Sequence, residues 1–576
     1  MDRRAFLTAG QEADTGGAGF ASEVQDGPSQ FANTVLPKVT RTTSGLDPYS
    51  GPWGYDQLAH LLRRTMFGAT KADVASLLGV TANQAVDALL LPPPDEASQP
   101  LSYDARDTAI PLGATWVNAI RQDPASTFNP SGVRTNSLKG WWVNLMLNQQ
   151  ISIREKMVLF LHNHFVTATA TVGEARFSYR YLALLRKNAF GNLKNLSRQV
   201  TLDGATLRYL NGNSNTKTSP NENFARELQE LFTIGKGPEV APGDYTTYTE
   251  ADVKAAAKVL TGWKDYTRPD GTIGDVTSYL NSTQHDTTAK TFSQRYSNLT
   301  IVGSTDAAKE LDDLLNLIFA QTETAKHFCR KLYRWFVYYV IDDWTETNII
   351  TPLATTLRNN GYEILPVLRQ LLKSAHFYDP LNVGCVIKAP LDLVIGTCRQ
   401  SGVVFPTGDV LKQYTMWNYL WSSQASPMQQ NLGDPPDVSG WHAYYQEPQF
   451  YELWVNSDTL PKRIRFTDTM SKSGYTSSSA TIVIDVIAVT KSVSDPSNPN
   501  VLIDELIKLM FAVPITTAQR AFLKNTLIPG LPDYEWSVEW ADYIANPTNA
   551  QKLAAVKTKL QAMIGLMMQM PEYQLT

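Results

Sequence analysis

Between Asn136 and Lys264 apolar residues recur at helical spacing almost without a break, in segments near 137–149, 152–165, 174–188, 192–202, 221–234 and 249–263. Residues three and four apart share one face of a helix, so consecutive segments of this kind bury their faces against one another rather than in a sheet. The boundaries carry signals of their own. Ser152 stands three residues before Glu155, and Thr249 three before Asp252, the spacing at which hydroxyl and carboxylate cap each other's backbone N–H groups. Gly235 and Gly237 follow Leu231-Phe232 and mark a helix stop. The expected fold is mainly α, with orthogonally packed multi-helix lobes.

The flanking sequence sets the expected organisation. Residues 1–54 are rich in Gly, Ser, Thr and Pro without periodicity and read as a disordered or extended arm. Short helices begin at Tyr55 and stop before Pro92-Pro93-Pro94, so a first lobe spans about 55–264 and holds the candidate site helices. From 265 to 302 Gly, Thr, Ser and Asn dominate, with β-prone pieces such as Lys290-Thr291-Phe292, which reads as an irregular loop insertion. A second helical lobe is expected over 303–425 and a C-terminal lobe over 426–576. Within the latter, Thr481–Thr490 suits a strand or a buried helix equally.

Charge narrows the classes of partner. Lys and Arg number 51 against 55 Asp and Glu, a net −4 without a long run of either sign, so no nucleic-acid footprint is visible. No stretch approaches the ~20 apolar residues of a membrane-spanning helix, which excludes an integral helical membrane protein. The charged share is 18%, below the ~25% usual in soluble chains, a lean towards export. Met1-Asp2-Arg3-Arg4-Ala5-Phe6-Leu7 is similar to a twin-arginine start, but Gln11, Glu12 and Asp14 stand where the apolar stretch of ~7 to 15 residues belongs. No complete signal peptide is read, and a cytoplasmic location remains the alternative. Cys329 and Cys398, in apolar or helical surroundings, read as buried thiols, and the odd count and wide spacing of the three cysteines argue against a disulfide.

Three polar strings carry the candidate chemistry. The chain has seven histidines, and two of them sit two residues apart in Leu159-Phe160-Leu161-His162-Asn163-His164-Phe165. Imidazole is the commonest metal-binding side chain, yet positions i and i+2 lie ~200° apart on a helix, so a packed pair at a helix end is the competing reading. Asn221–Phe232 carries Glu222, Arg226, Glu227 and Glu230, which give one face two carboxylates; the structural alternative pairs Arg226 with Glu222 or Glu230. His285-Asp286 in the excursion offers a third imidazole and a carboxylate, or a local turn in which Asp286 bonds the backbone. The expected ligand pool for a divalent metal is therefore His162, His164, Glu227, His285 and Asp286, with Glu222 or Glu230 as catalytic base; Zn, Fe, Mn and Cu are not distinguished. His60, His327, His376 and His442 read as structural. The elbow, phosphate-loop, dinucleotide, zinc-protease and Cys-x-x-Cys motifs are all missing.

Further strings accompany these: Ala59-His60-Leu61-Leu62-Arg63-Arg64 with Phe67-Gly68, Arg154-Glu155-Lys156-Met157, Asn221-Glu222-Asn223-Phe224-Ala225-Arg226-Glu227-Leu228, Thr261-Gly262-Trp263, Lys388-Ala389-Pro390, Pro435-Pro436 with Gly440-Trp441, and Pro571-Glu572-Tyr573-Gln574-Leu575. In order and spacing, from about Tyr55 to the end, the chain resembles the bacterial "domain of unknown function, number eighteen hundred" family. The departures are Met66, where the family tends to have a small residue, and Gln229, where it tends to have Met. The resemblance implies a bacterial protein, often exported to the periplasm or beyond and often accompanied by a second uncharacterised exported protein. It transfers no catalytic residue.

Two functions are expected from these features. One is a metal-dependent enzyme, hydrolytic or oxidative, with its site between helices and a loop. The other is a non-enzymatic cell-envelope binding or assembly protein that takes a small molecule, a polysaccharide or a partner protein. The second draws on the aromatic runs Trp417-Asn418-Tyr419-Leu420-Trp421 and Trp441-His442-Ala443-Tyr444-Tyr445, whose bland reading is core packing.

Overall fold

The computed structural model describes residues 41–93 and 98–576. Helices dominate it, and the strands form only two-stranded antiparallel pairs. The paired arginines at positions 3 and 4 and most of the 1–54 arm lie outside the described residues. From residue 41 onwards the arm runs extended against 373–382: Tyr49 N–H donates to Lys373 O at 2.8 Å, and His376 N–H to Gly45 O at 2.9 Å.

The helices of the 136–264 region form at the expected places: Ser131–Leu147, which starts six residues earlier than its pattern suggested, and, with tighter ends, Arg154–His164, Ala175–Lys187, Leu193–Thr201, Glu222–Glu230 and Glu250–Val259. Thr249 and Asp252 make the predicted capping box. Ser152 and Glu155 do not. Ser152 Oγ accepts only the Arg154 N–H, while Glu155 turns away to accept from Arg186 Nη1 at 2.7 Å. The helix starts at Arg154 with Ile153 at its N-cap, one residue later than the box requires, so Ser152 and Glu155 are out of register for reciprocal capping. The Glu222–Glu230 helix ends four residues short of its predicted stop, and Gly235, at φ +81°, returns its N–H to Gln229 O.

Thr481–Thr490 is divided between the two structures its pattern allowed. Ala480–Ile482 pairs with Tyr475–Ser477, and Val486–Lys491 is helical behind an Asp485 cap. Buried apolar residues from Leu58 to Leu575 form one cluster. Ser131–Leu147 packs on Val410–Asn418, and Thr459–Lys472 on Ala550–Gln569. The first aromatic run is core: Trp417, Tyr419, Leu420 and Trp421 are all buried. None of the three cysteines is disulfide-bonded. Among the described residues no helix is long and apolar enough to cross a membrane.

Candidate functional site

The Arg154–His164 helix delivers its two histidines to opposite sides of its last turn, as their spacing requires. His162 packs among aromatic rings, with centroids 5.4 Å from Trp142 and 6.1 Å from Trp441. His164 faces Phe328 and His327, at 5.4 and 6.5 Å. Burial lowers the His162 imidazole to about 4 and holds His164 well below its ordinary range, so both are neutral at pH 7. His164 Nε2 lies 3.1 Å from Phe232 O, an oxygen that can only accept, so Nε2 carries the proton and Nδ1 an open lone pair. That Nδ1 is buried without a protein partner. Asn163, between the two, accepts the Trp441 N–H on its Oδ1 at 2.9 Å.

The other candidates are held elsewhere. Arg226 pairs with Glu250 through its two terminal guanidinium nitrogens, at 2.5 and 2.6 Å, and not with Glu222 or Glu230 as the one-helix pattern suggested. A partner on the next helix presents its two oxygens side by side, which neighbours on the same helix do less well. Glu230 accepts the Tyr248 hydroxyl at 2.9 Å, and Glu222 stands partly exposed in the first turn. Glu227 is half-buried, and burial followed by the nearby Glu230 charge raises its carboxyl to about 7.

His285 and Asp286 anchor the excursion. His285 Nδ1 is 3.0 Å from Thr261 O, Asp286 N–H donates to Thr261 Oγ1 at 2.8 Å, and Asp286 Oδ1 accepts from Thr288 N–H and Oγ1. This is the local turn named as the alternative to a ligand role. Behind it, Glu310 accepts from Lys290 Nζ at 2.5 Å and from Ser304 N–H at 2.6 Å, with His285 Nε2 a long 3.5 Å away. Among the described residues no three His, Cys, Asp or Glu side chains are placed together to hold a metal ion.

What the structure does bring to one place is His164 and Asn163, the Thr322–Phe336 helix and the 437–445 loop, around a cavity of about 200 Å³. His327, Lys331 and Arg334 line it at i, i+4 and i+7 of that helix, with Arg330 between them. Leu231 O accepts from Lys331 Nζ at 2.9 Å and from His327 Nε2 at 3.3 Å. Arg330 is committed to Glu346, at 2.7 and 2.8 Å, and to Glu323. Arg334 donates to Tyr339 O, lies over the Phe450 ring at 5.1 Å, and among the described carboxylates pairs with the exposed Glu447 alone, at 4.0 Å. Among the described residues no Asp or Glu lines the cavity. Burial, and then the Arg334 charge, lower the Lys331 ammonium to about 7.

The loop side is shaped by Asp437, whose Oδ2 accepts from His442 Nε2 at 3.0 Å and from the Tyr445 hydroxyl at 2.5 Å. Gly440 has φ +101°, and a Cβ there would lie 2.4 Å from Asn163 Oδ1, so only glycine brings the loop this close. Trp335 and Tyr444 stack with centroids 4.1 Å apart and also line a tighter cavity that holds Arg63, Arg64 and the Lys156–Asp392 pair. Sequence reading assigned His327 and His442 to structure and passed over Lys331 and Arg334. The available signal was the cationic stripe at helical spacing from His327 to Arg334.

These features define a predominantly helical protein with a cationic, imidazole-lined cavity where several of its polar strings meet. The chain belongs to the family described as "Protein of unknown function (DUF1800)", whose model matches residues 60–575. No curated protein and no solved structure matches it.

Proposed function

We propose that the protein binds a small molecule bearing a compact anionic group, carboxylate or phosphate, in the cavity between the Arg154–His164 and Thr322–Phe336 helices. The observation that carries this reading is a cavity lined by Arg330, Lys331 and Arg334 without a single carboxylate. Arg330 is neutralised by Glu346 and Glu323, but Lys331 has only the Leu231 carbonyl and Arg334 only a 4.0 Å approach to Glu447, so these two lack the compensation that burial of charge demands, and an anion supplies it. The lining imidazoles of His164 and His327, both held neutral chiefly by burial, add hydrogen-bonding groups without further charge. This favours the binding function over a metal centre built from His162, His164, Glu227, His285 and Asp286.

Titration calorimetry of the full chain with acetate and with inorganic phosphate tests the reading. Saturable binding is expected, weaker at high salt and at least tenfold weaker in Arg334→Gln. Affinity also falls as pH rises through about 7, because Lys331 loses its charge there. Absence of saturable binding by either anion near pH 6 refutes it.

A further inference from the structure

A lysine with no carboxylate partner among the described residues, beside an arginine in a part-buried cavity, is placed for covalent work as well as for binding. Lys331 spends one N–H on Leu231 O, which fixes the amine while leaving its remaining valences in the cavity it lines. Arg334 lies three residues on, where i and i+3 side chains are neighbours about 5 to 6 Å apart at Cβ. The pair matches a substrate whose carboxylate and electrophilic carbon are adjacent atoms. Desolvation and a neighbouring cation are the two conditions that keep a lysine amine unprotonated and nucleophilic near neutral pH.

We infer that Lys331 forms a Schiff base with an α-keto acid whose carboxylate is held by Arg334, a step that rests on the anion-binding reading of the same cavity. The neutral amine adds to the keto carbon, forming a C–N bond as the C=O π electrons move to oxygen. The nitrogen gives up a proton, and the carbinolamine hydroxyl leaves as water after gaining one. Overall, the keto acid and the lysine ammonium give an iminium carboxylate and one water, with no oxidant or reductant. His164 lines the same cavity with a ring that burial keeps neutral, so it adds no charge that would compete with Arg334 for the carboxylate. Formation of the imine speeds up as pH rises through about 7, where Lys331 deprotonates, opposite in direction to simple anion affinity.

The full chain is incubated with pyruvate and sodium cyanoborohydride, which reduces an iminium to a stable secondary amine, and the adduct is mapped by peptide mass spectrometry. One adduct per chain at Lys331 is expected, at least tenfold faster than at any other lysine and slowed by excess acetate. Arg334→Gln slows it at least tenfold. Lys331→Arg, with thermal unfolding checked, abolishes it. Adducts spread evenly over surface lysines, or none at Lys331, overturn the inference. If acetate still binds, the cavity reading survives that result; if neither acetate nor pyruvate engages the cavity, both fall. The acetate competition uses the unaltered chain, so the outcome does not depend on a variant folding.

Discussion

Lys331 and Asp203 show how single buried charges write a pH dependence into this fold. Lys331 titrates near 7 in the folded chain and near ~10.4 when unfolded. Between those values the unfolded state binds the extra proton, so stability rises with pH across the window and is lost as pH falls through about 7. Lys331→Met should flatten that rise in chemical unfolding curves recorded from about pH 7 to 10. Asp203 has the opposite sign. Burial pushes its carboxyl up to about 7, so the folded state holds a proton that the unfolded state releases near ~3.9. Stability from this group is present below about pH 4 and lost as pH rises to 7. Asp203 Oδ1 caps a helix by accepting the Ala205 N–H at 2.8 Å, and an asparagine oxygen does the same without charge. Asp203→Asn should therefore stabilise the protein by about 1 to 2 kcal/mol at pH 8 and by nothing at pH 4, as denaturant midpoints would report.

The elements were legible where local rules decide and obscure where a distant partner decides. Helix periodicity placed the 136–264 helices within a few residues, and the Thr249–Asp252 cap formed because hydroxyl and carboxylate belong to one turn. Glu155 and Arg226 went astray because their partners, Arg186 and Glu250, lie on other helices, and no pattern along one helix contains that information. The site followed the same division. His164 was visible as an imidazole in an apolar string, whereas Lys331 and Arg334 gain meaning only once their helix is packed against Leu231 and the 437–445 loop.

Two loop-to-helix attachments can be tested at this scale. Glu310→Ala would strand the fully buried Lys290 and release the excursion, a loss of about 3 to 5 kcal/mol accompanied by new protease cleavage within 265–302. An unchanged melting curve would show that the excursion is held by other contacts. Gly440→Ala drives a Cβ towards Asn163 Oδ1 at a backbone angle that alanine tolerates poorly, a cost of about 1 to 3 kcal/mol. Because the displaced loop carries Ser439, Tyr444 and Tyr445 on the cavity wall, acetate affinity should fall together with stability.

Across the whole molecule, residues 571–576 tie distant segments together. Lys388 N–H donates to Gln574 O at 2.7 Å, Thr576 N–H to Val386 O at 2.8 Å, and Thr576 Oγ1 to Arg63 O on the Tyr55–Thr65 helix. The wholly buried Arg463 joins both sides of this junction by donating to Lys388 O and Gln574 Oε1. Two of the strings that carried the family resemblance, Lys388-Ala389-Pro390 and Pro571–Leu575, thus meet in space although separated by nearly two hundred positions. Deleting 571–576 exposes the Arg463 guanidinium site and leaves buried carbonyls unpaired, so calorimetry should show a broadened or absent unfolding transition. A sharp transition at the original temperature would assign the junction a minor part.

The Trp335–Tyr444 stack belongs to two cavities at once, so a ligand entering either one disturbs the same pair of rings. Indole emission and the near-ultraviolet dichroism of stacked aromatics respond to such small changes in contact and polarity. The protein therefore carries a spectroscopic reporter at the boundary between its two cationic chambers, and the difference spectrum between the natural chain and Trp335→Phe would isolate its signal from the other twelve tryptophans.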